Sequence, residues 1–338
     1  MKNRILVLLL VLALALPAAG CFEKATVESL LEDCAAKLEK TESYEINAKV
    51  NADIDIQGEA LDVGIVAKGK LKGSITDSAI HLDGEFSYSA ADDKDSAEFE
   101  IYLIEDKDEI SAYAREDEEW SEFVIDEDDD DFEDAQKALE AIKFHKMIEL
   151  LVDYEKDLEL AKKTEKVGKI DAYVIEGTVS GDYITDFVKS IDVDELTDEL
   201  DEALEDGDMD LGDYEVSIRL MIDKKTKLPV LLELDLKDTA QTILEDLLTA
   251  LMSFDIPDFD YEDYDDYEDD EDEEPEPSEP EVEVNVKICV FEIEFSEFDD
   301  VKKIKVPKDV IDEARTESER IEEHNEAIES VYDSLFDD

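Results

Sequence analysis

YEINAKVNADIDI, residues 44–56, alternates apolar and polar side chains along its whole length. Successive side chains of an extended strand point to opposite faces, so the apolar set falls on one face. Its members are Tyr44, Ile46, Ala48, Val50, Ala52, Ile54 and Ile56. The pattern predicts a strand with one dry face and one wet face, and Gly58 ends it.

More strand-like runs follow this stretch and are joined by short polar connectors. They cover residues 61–75, 79–89, 97–104, 109–115 and 120–125, and Trp120 is expected to be a half-buried sheet residue. Parallel pairing would need long crossover connections, so the spacing predicts an antiparallel meander. The acidic run at residues 126–131 ends it.

Helical spacing of apolar residues predicts helices before and after this meander in the sequence. The first covers residues 27–40, the second covers 132–152 with His145 on its apolar stripe, and a short third covers 183–191. Asp238 and Gln241 predict a capping box at the start of a further helix. These helices need a sheet face on which to bury their apolar stripes.

Alternation returns in the second half of the chain. It predicts strands at residues 158–167, 170–179, 214–223, 228–236, 282–295 and 301–306. The phase of the alternation changes at Val290 and Phe291. Since a one-residue slip would turn the dry side chains to water, we expect a β-bulge near Cys289.

The first twenty residues have the layout of a secretory signal. Lys2 and Arg4 precede an apolar run over residues 5–16, which is shorter than the roughly twenty residues that span a bilayer. The sequence AAGC at 18–21 resembles a bacterial lipobox, which implies that Cys21 is diacylated and that residues 21–24 form a short tether. An ordinary cleavable signal with an incidental cysteine is the alternative. The location expected from the lipobox is the extracytoplasmic face of the cell membrane.

The charge of the chain is strongly negative. It has 101 acidic and 33 basic residues, for a formal net charge of -68. A surface of this sign repels nucleic acid and anionic lipid headgroups, so no electrostatic role with either is expected. Diffuse cation binding is one consequence, and solubility alone is the other interpretation. Residues 255–281 are almost wholly Asp, Glu, Pro and Tyr, which predicts a disordered insertion.

The sequence carries no pattern typical of an enzyme, a cofactor site or a metal site. Its histidines, His81, His145 and His324, are far apart, and no nucleophile elbow or phosphate loop occurs. A calcium-loop spacing begins at residue 206, but Leu211 stands at the glycine position and Ser217 at the bidentate glutamate position.

Two cysteines remain once Cys21 is assigned to the anchor. A disulfide between Cys34 and Cys289 is one hypothesis for this compartment, and two free thiols are the other.

Two motifs carry a family resemblance. VSIRLMIDKKTKLP at 216–229 and FSEFDDVKKIKVP at 295–307, together with the anchor cysteine, the first helix and the strands, resemble bacterial lipoproteins of the LolA/LolB-like and LppX/LprG-type superfamily. The resemblance implies an α+β fold with a curved, half-open antiparallel β-barrel and helices on its concave face. The resemblance covers residues 25–253 and 282–307, so we expect one domain over residues 25–307 that is interrupted by the insertion at 255–281. The acidic tail at 308–338 lies outside the resemblance, and its own apolar spacing predicts a helix.

The same resemblance implies a hydrophobic cavity between sheet and helices. The function then expected is binding or carrying a lipid or an acylated protein. The side chains predicted to contact such a ligand are Ile46, Val50, Ile54, Phe86, Phe99, Ile101, Ile218 and Leu220. The alternative is a non-enzymatic envelope scaffold with a filled core and an acidic surface. An apolar cavity would favour the carrier and a solid core with an exposed patch would favour the scaffold.

Overall fold

A computed structural model describes residues 25–58, 62–91, 93–116, 119–129, 132–141, 144–191, 211–253 and 282–316. These residues form one large sheet with helices packed against it. The strands are β1 (Ser43–Gly58), β2 (Asp62–Thr76), β3 (Ala79–Ala90), β4 (Asp93–Asp106), β5 (Glu109–Glu116), β6 (Glu119–Asp126), β7 (Leu158–Leu160), β8 (Glu165–Val167), β9 (Ile170–Ser180), β10 (Glu215–Asp223), β11 (Pro229–Asp235), β12 (Val282–Ser296) and β13 (Arg315–Thr316). The α-helices are α1 (Val27–Leu38), α2 (Phe132–Ala141), α3 (His145–Leu150), α4 (Asp182–Ile191), α5 (Lys237–Ser253) and α6 (Lys308–Glu313), and short 3₁₀ turns lie at Glu155–Asp157 and Leu211–Asp213.

The strand order is β13-β6-β5-β4-β3-β2-β1-β12-β11-β10-β9-β7, and β8 pairs with β9. Every pair is antiparallel except β13 with β6. Among the described residues, the two outermost strands of this order do not pair with each other, so the sheet is not closed. The predicted α+β class and the antiparallel meander from β1 to β6 are confirmed.

β1 lies in the middle of the sheet, between β2 and β12. It pairs with β2 from Ser43 opposite Thr76 to Gln57 opposite Asp62, and with β12 from Glu45 opposite Ser296 to Gly58 opposite Val282. At about 3.4 Å per residue, its sixteen residues span roughly 50 Å. β1 is therefore much longer than the helical layer that covers part of it.

The helices α1 to α4 cover one end of the dry face. A capping box between Thr26 and Ser29 begins α1, which buries Leu30, Leu31 and Cys34 against the sheet. The same core contains Ile148 of α3 and Tyr183 of α4, with Ile46, Leu220 and Ile293 from the strands. Fully burying one such side chain contributes about 1.5–3 kcal/mol, so this layer fixes the helices on the sheet.

The predicted bulge is present, but it lies slightly earlier than expected. The register of β1 with β12 shifts between Asp53 and Ile54, where Ile288 pairs with Asp53 and Val286 pairs with Ile54. The bulge is therefore at Lys287, and dry-face positions pass from even numbers before it to odd numbers after it. Lys287 donates to Asp53 and Asp55 on the wet face, which explains the position.

Three predicted elements differ from the structure. The helix expected over residues 132–152 is divided into α2 and α3, because Phe144 has a φ of 55° and cannot continue a right-handed helix. The strand expected over 158–167 is divided into β7 and β8. The strand expected over 301–306 is not a strand, although a two-residue strand, β13, follows α6.

The segment after Pro307 also contacts the sheet. Val310 of α6 packs with Tyr102, Tyr113 and Trp120 on the wet face of β4 to β6. Trp120 is consequently buried by this segment instead of half-buried. The body of the protein extends at least to residue 316, past the boundary at 307 expected from the sequence, and of the tail the structure describes only residues 308–316.

The predicted capping box of α5 is wrong. The helix begins at Lys237, whose backbone N–H donates to Asp235, and Gln241 has another role. Gln241 accepts from the backbone N–H of Val286 at 2.7 Å and donates to the carbonyl of Val284. It thus satisfies the backbone edge of β12 beyond the point where β11 ends at Asp235, opposite Val290.

Candidate ligand surface

The dry face of β1 has an uncovered middle section. Ile46 and Ala48 are buried under the helical layer, and Ile56, at the other end, is only 8% exposed. Between them Val50 is 37% exposed, while Ala52 and Ile54 are half-buried. From Ala48 to Ile56 the strand advances about 26 Å, so a gap of that order separates two covered regions.

Along β12, as along β1, two buried regions are separated by half-buried residues. Val284 and Val286 are buried where α5 packs against β12, and Ile293 is buried in the main core. Cys289 and Phe291, which pair with Ala52 and Val50, are half-buried between these regions. The gap therefore continues from β1 onto β12, with α5 on one side and the helices α1 to α4 on the other.

On the opposite side the gap widens across β2 and β3. The register places Gly69 between Val50 and Phe86, and Ala67 between Ala52 and Tyr88. A Cβ built at Gly69 would lie 3.4 Å from Phe86 Cδ2 and 3.7 Å from Val50 Cβ, so these two side chains approach each other over the glycine. Phe86 is 41% exposed. We call this surface the apolar gap; it consists of Val50, Ala52, Ile54, Ala67, Gly69, Phe86, Tyr88, Cys289 and Phe291.

The structure places all eight predicted ligand-contact residues on this dry face, but only some of them border the gap. Val50, Ile54 and Phe86 belong to it. Ile101 and Phe99 of β4 are half-buried beside it, and the ring of Phe99 lies against Gly84, where a Cβ would be 2.7 Å from Phe99 Cε1. The remaining three, Ile46, Ile218 and Leu220, are buried in the core under the helices.

Among the described residues, the side chains between the sheet and the helices α1 to α4 are thus packed against one another in the core. Sequence patterning could not distinguish the two, because a dry face reads the same whether a helix covers it or not. The residues that sequence reasoning missed in the gap are Ala52, Ala67, Gly69, Tyr88, Cys289 and Phe291. The alternation around residues 86–88 and the bulge at Lys287 were the available signals for Tyr88 and Cys289.

Three surface grooves lie on the wet face of β1 to β4, with volumes of about 440, 370 and 280 Å³. Their lining is largely charged or polar, with Lys70, Glu85 and Glu98 as typical members. Lys70 and Glu85 are paired at 2.6 Å. The third groove also includes Gly69, Phe86 and Ala97, so it reaches residues of the apolar gap.

A polar cluster on the wet face is centred on Glu100. Its carboxylate accepts from Tyr102 at 2.8 Å and lies 3.1 Å from His81 Nε2 and 3.6 Å from Arg115. Burial by itself would raise the pKa of Glu100, but these hydrogen bonds and the charge of Arg115 outweigh it and lower the pKa below its ordinary value. His81 stacks on Tyr102 with ring centroids 4.2 Å apart. Glu100 thus contacts His81 of β3, Tyr102 of β4 and Arg115 of β5, so the cluster links these three strands.

The two described cysteines are free thiols, so the structure does not contain the disulfide considered above. Cys34 is buried in the core on α1, whereas Cys289 is half-buried at the floor of the gap. Burial, together with nearby Asp33, raises the pKa of Cys34, and burial with Asp235 raises that of Cys289. Neither thiol has the electropositive surroundings that activate a nucleophile.

Neither a metal-binding cluster nor a membrane-spanning helix occurs among the described residues. These residues contain no group of three or more His, Cys, Asp or Glu side chains that could hold a metal ion. Within the same residues, no helix combines the length and the apolar content needed to cross a bilayer. The calcium-like spacing at 206–210, Cys21 and the acidic run at 255–281 lie outside the described part of the chain.

Residues 26–243 match the sequence pattern of a family of unknown function, DUF6612. The chain belongs to this family. The DUF6612 region begins at the N-cap of α1 and ends inside α5, so it contains the dry-face strands β1 to β4 but not β12. A comparison with curated proteins gave no match.

Two solved structures resemble the chain weakly. The crystal structure of LprF from Mycobacterium bovis has 10% sequence identity and a TM-score of 0.35, and the match covers 83% of this chain and 96% of LprF. A DUF1329 family protein from Desulfovibrio piger has 12% identity and a TM-score of 0.17, with coverage of 62% and 71%. Both TM-scores are below 0.5, so these two likenesses carry no argument about the superfamily of this chain. At these scores, arguments about a ligand must come from the DUF6612 chain itself.

Proposed function

We propose that this DUF6612 protein is a non-enzymatic lipoprotein that binds a hydrophobic molecule, a lipid or an acylated protein, in the apolar gap. Acylated Cys21 anchors it at the extracytoplasmic face of the cell membrane. The sheet is curved as in a half-open barrel, with the gap on its concave side. The ligand lies on the sheet between α5 and the helices α1 to α4.

The observation that carries this proposal is the contiguous exposure of Val50 and Phe86 over Gly69. Isolated exposed apolar residues are common, but a contiguous apolar surface marks a site that another molecule covers. At about 25 cal/mol per Å², covering it with an acyl chain provides the affinity without any specific polar contact. Such a surface selects for hydrophobicity rather than for a headgroup.

A scaffold is the second candidate, and the filled core favours it. Ile46, Ile218 and Leu220, which were predicted to contact a ligand, are buried by their neighbours in the core. In that case the gap is covered by the apolar surface of a partner protein. The two candidates share the surface and differ in what covers it.

Native mass spectrometry of residues 22–338, with lipid extraction and without detergent, tests the proposal. This chain retains every residue that the structure describes. We expect a stoichiometric lipid to remain bound, and its mass identifies the class of ligand. The double variant Val50→Ser/Phe86→Ser removes the two exposed side chains that meet over Gly69, and we expect it to lose the lipid.

The matched control is Ile288→Ser. Ile288 is 40% exposed, a fraction similar to that of Phe86. It lies on the wet face, however, where it pairs with Asp53. Loss of lipid in the double variant with retention in the control supports the carrier. A clean apo mass for the unaltered chain contradicts the carrier and favours the scaffold.

A further inference from the structure

Although the net charge of the chain is strongly negative, one end of the sheet carries a basic region. Seven lysines lie on two neighbouring connections, the one from β7 to β9 and the turn between β10 and β11. They are Lys162, Lys163, Lys166, Lys169, Lys224, Lys225 and Lys227, and all but the half-buried Lys227 are exposed. We call this region the lysine tip.

The two connections form one surface because their backbones are joined. The N–H of Lys224 donates to the carbonyl of Asp171 at 3.1 Å, and Asp223 pairs with Ala172 in the register of β10 with β9. The ring of Tyr173 lies beneath them, with the ammonium groups of Lys227 and Lys224 at 4.5 and 5.8 Å from its centroid.

The seven lysines outnumber the three carboxylates of these connections, Glu165, Asp171 and Asp223. Glu165 binds Arg219 at 2.7 Å, and Asp171 lies 3.8 Å from Lys166. Asp223 accepts from the backbone of Lys225 and the hydroxyl of Thr226. Six of the seven lysines make no ion pair with any described carboxylate; the exception is Lys166, which lies 3.8 Å from Asp171.

The lysine tip includes a tight turn and an exposed apolar side chain. Gly168 has a φ of 58° in the tight turn from Val167 to Ile170, and a Cβ built there would meet no atom within 4 Å. Ile170, beside this turn, is 39% exposed. Lysines around a projecting apolar side chain match an anionic lipid surface, because ammonium groups need no fixed geometry and the apolar residue can enter the headgroup layer.

The chain's greatest concentration of acid is attached far from this tip. Residues 255–281 contain seventeen carboxylates and connect to β12 at Val282. Leu231, near the tip end of β11, pairs with Glu294, twelve residues further along β12. The acidic run therefore joins β12 about 40 Å along the strand from the tip end.

We infer that the lysine tip docks on anionic phospholipid headgroups and sets the orientation of the protein on the membrane. The inference rests on the membrane location in the proposed function but not on the hydrophobic ligand. It replaces the expectation from net charge, which sums the tip with the acidic residues of the whole chain.

Flotation of residues 22–338 with lipid vesicles tests the docking. We expect binding to phosphatidylcholine vesicles that contain phosphatidylglycerol, no binding to pure phosphatidylcholine, and loss of binding as sodium chloride is raised. The variant Lys163→Gln/Lys169→Gln/Lys225→Gln should bind at least tenfold more weakly, since each lysine near an anionic bilayer contributes about fivefold. Melting temperatures confirm that each variant is folded.

The control Lys68→Gln/Lys72→Gln/Lys94→Gln removes the same charge from exposed wet-face positions on β2 and β4. It should bind like the unaltered chain. No binding to anionic vesicles, equal loss in both variants, or binding of the tip to soluble polyphosphate but not to vesicles would overturn the docking. Lipid uptake in the mass spectrum is measured without vesicles, so the two proposals fail separately.

Discussion

At the scale of single residues, the two described cysteines provide a direct check on the core and the gap. In residues 22–338 we expect two free thiols after denaturation. In the native protein Cys289 should react with Ellman's reagent first, because it is half-buried, and Cys34 only as the protein unfolds, because the core encloses it. The reaction time course measures both.

Fewer than two thiols after denaturation would restore the disulfide hypothesis. Reaction of Cys34 at the rate of Cys289 would contradict the burial of α1.

The lowered pKa of Glu100 predicts that the free energy of unfolding depends on pH. Its pKa is lowered in the folded state, so its contribution to stability is complete above the ordinary glutamate pKa and declines as the pH falls through the lowered value. We expect Glu100→Gln to reduce the free energy of unfolding by about 1–2 kcal/mol at pH 7 and by progressively less below about pH 4.5. Urea unfolding at several pH values measures the difference from the unaltered chain.

Glu98→Gln is the matched control, because Glu98 is exposed on the same strand. It should change stability by less than about 0.5 kcal/mol at any pH. A Glu100→Gln effect that is constant from pH 7 to pH 3, or that grows on acidification, would show that the hydrogen bonds around Glu100 do not favour its ionised form.

At the scale of elements, Gln241 determines how β12 is completed beyond β11. Replacing Gln241 with Ala leaves the buried N–H of Val286 without its acceptor, which costs about 1–3 kcal/mol. Faster hydrogen exchange at the Val286 amide and a lower urea midpoint are the expected results. Gln57→Ala, at an exposed amide on β1, is the control and should change neither. Unchanged exchange at Val286 would contradict the pairing.

The same elements show what sequence patterning can predict. Period-two alternation identified most strands of the sheet and the need for a bulge, because both follow from keeping apolar side chains on one face. It placed the bulge too late, since Ile288 and Val290 continue the apolar numbering although Lys287 shifts the register. The break at Phe144 and the role of Gln241 were not predictable, because each depends on tertiary contacts that local spacing does not encode.

At the scale of the whole molecule, the candidate site depends on which parts of the dry face the helices leave uncovered. Alternation assigned Val50 and Ile46 to the same face, but only the packing of α1 to α4 separates an exposed residue from a buried one. The net charge likewise concealed the lysine tip, because its lysines come from connections more than fifty residues apart. Both surfaces therefore arise from three-dimensional arrangement rather than from any one motif.

The measurement that tests the central claim most directly is a titration of residues 22–338 with a fluorescent phospholipid. The unaltered chain, Val50→Ser/Phe86→Ser and Ile288→Ser are compared in the same buffer. The account predicts saturable one-to-one binding to the unaltered chain and to Ile288→Ser, with at least tenfold weaker binding to the double variant. Equal binding to all three, or no saturable binding to the unaltered chain, would contradict the apolar gap as a lipid site.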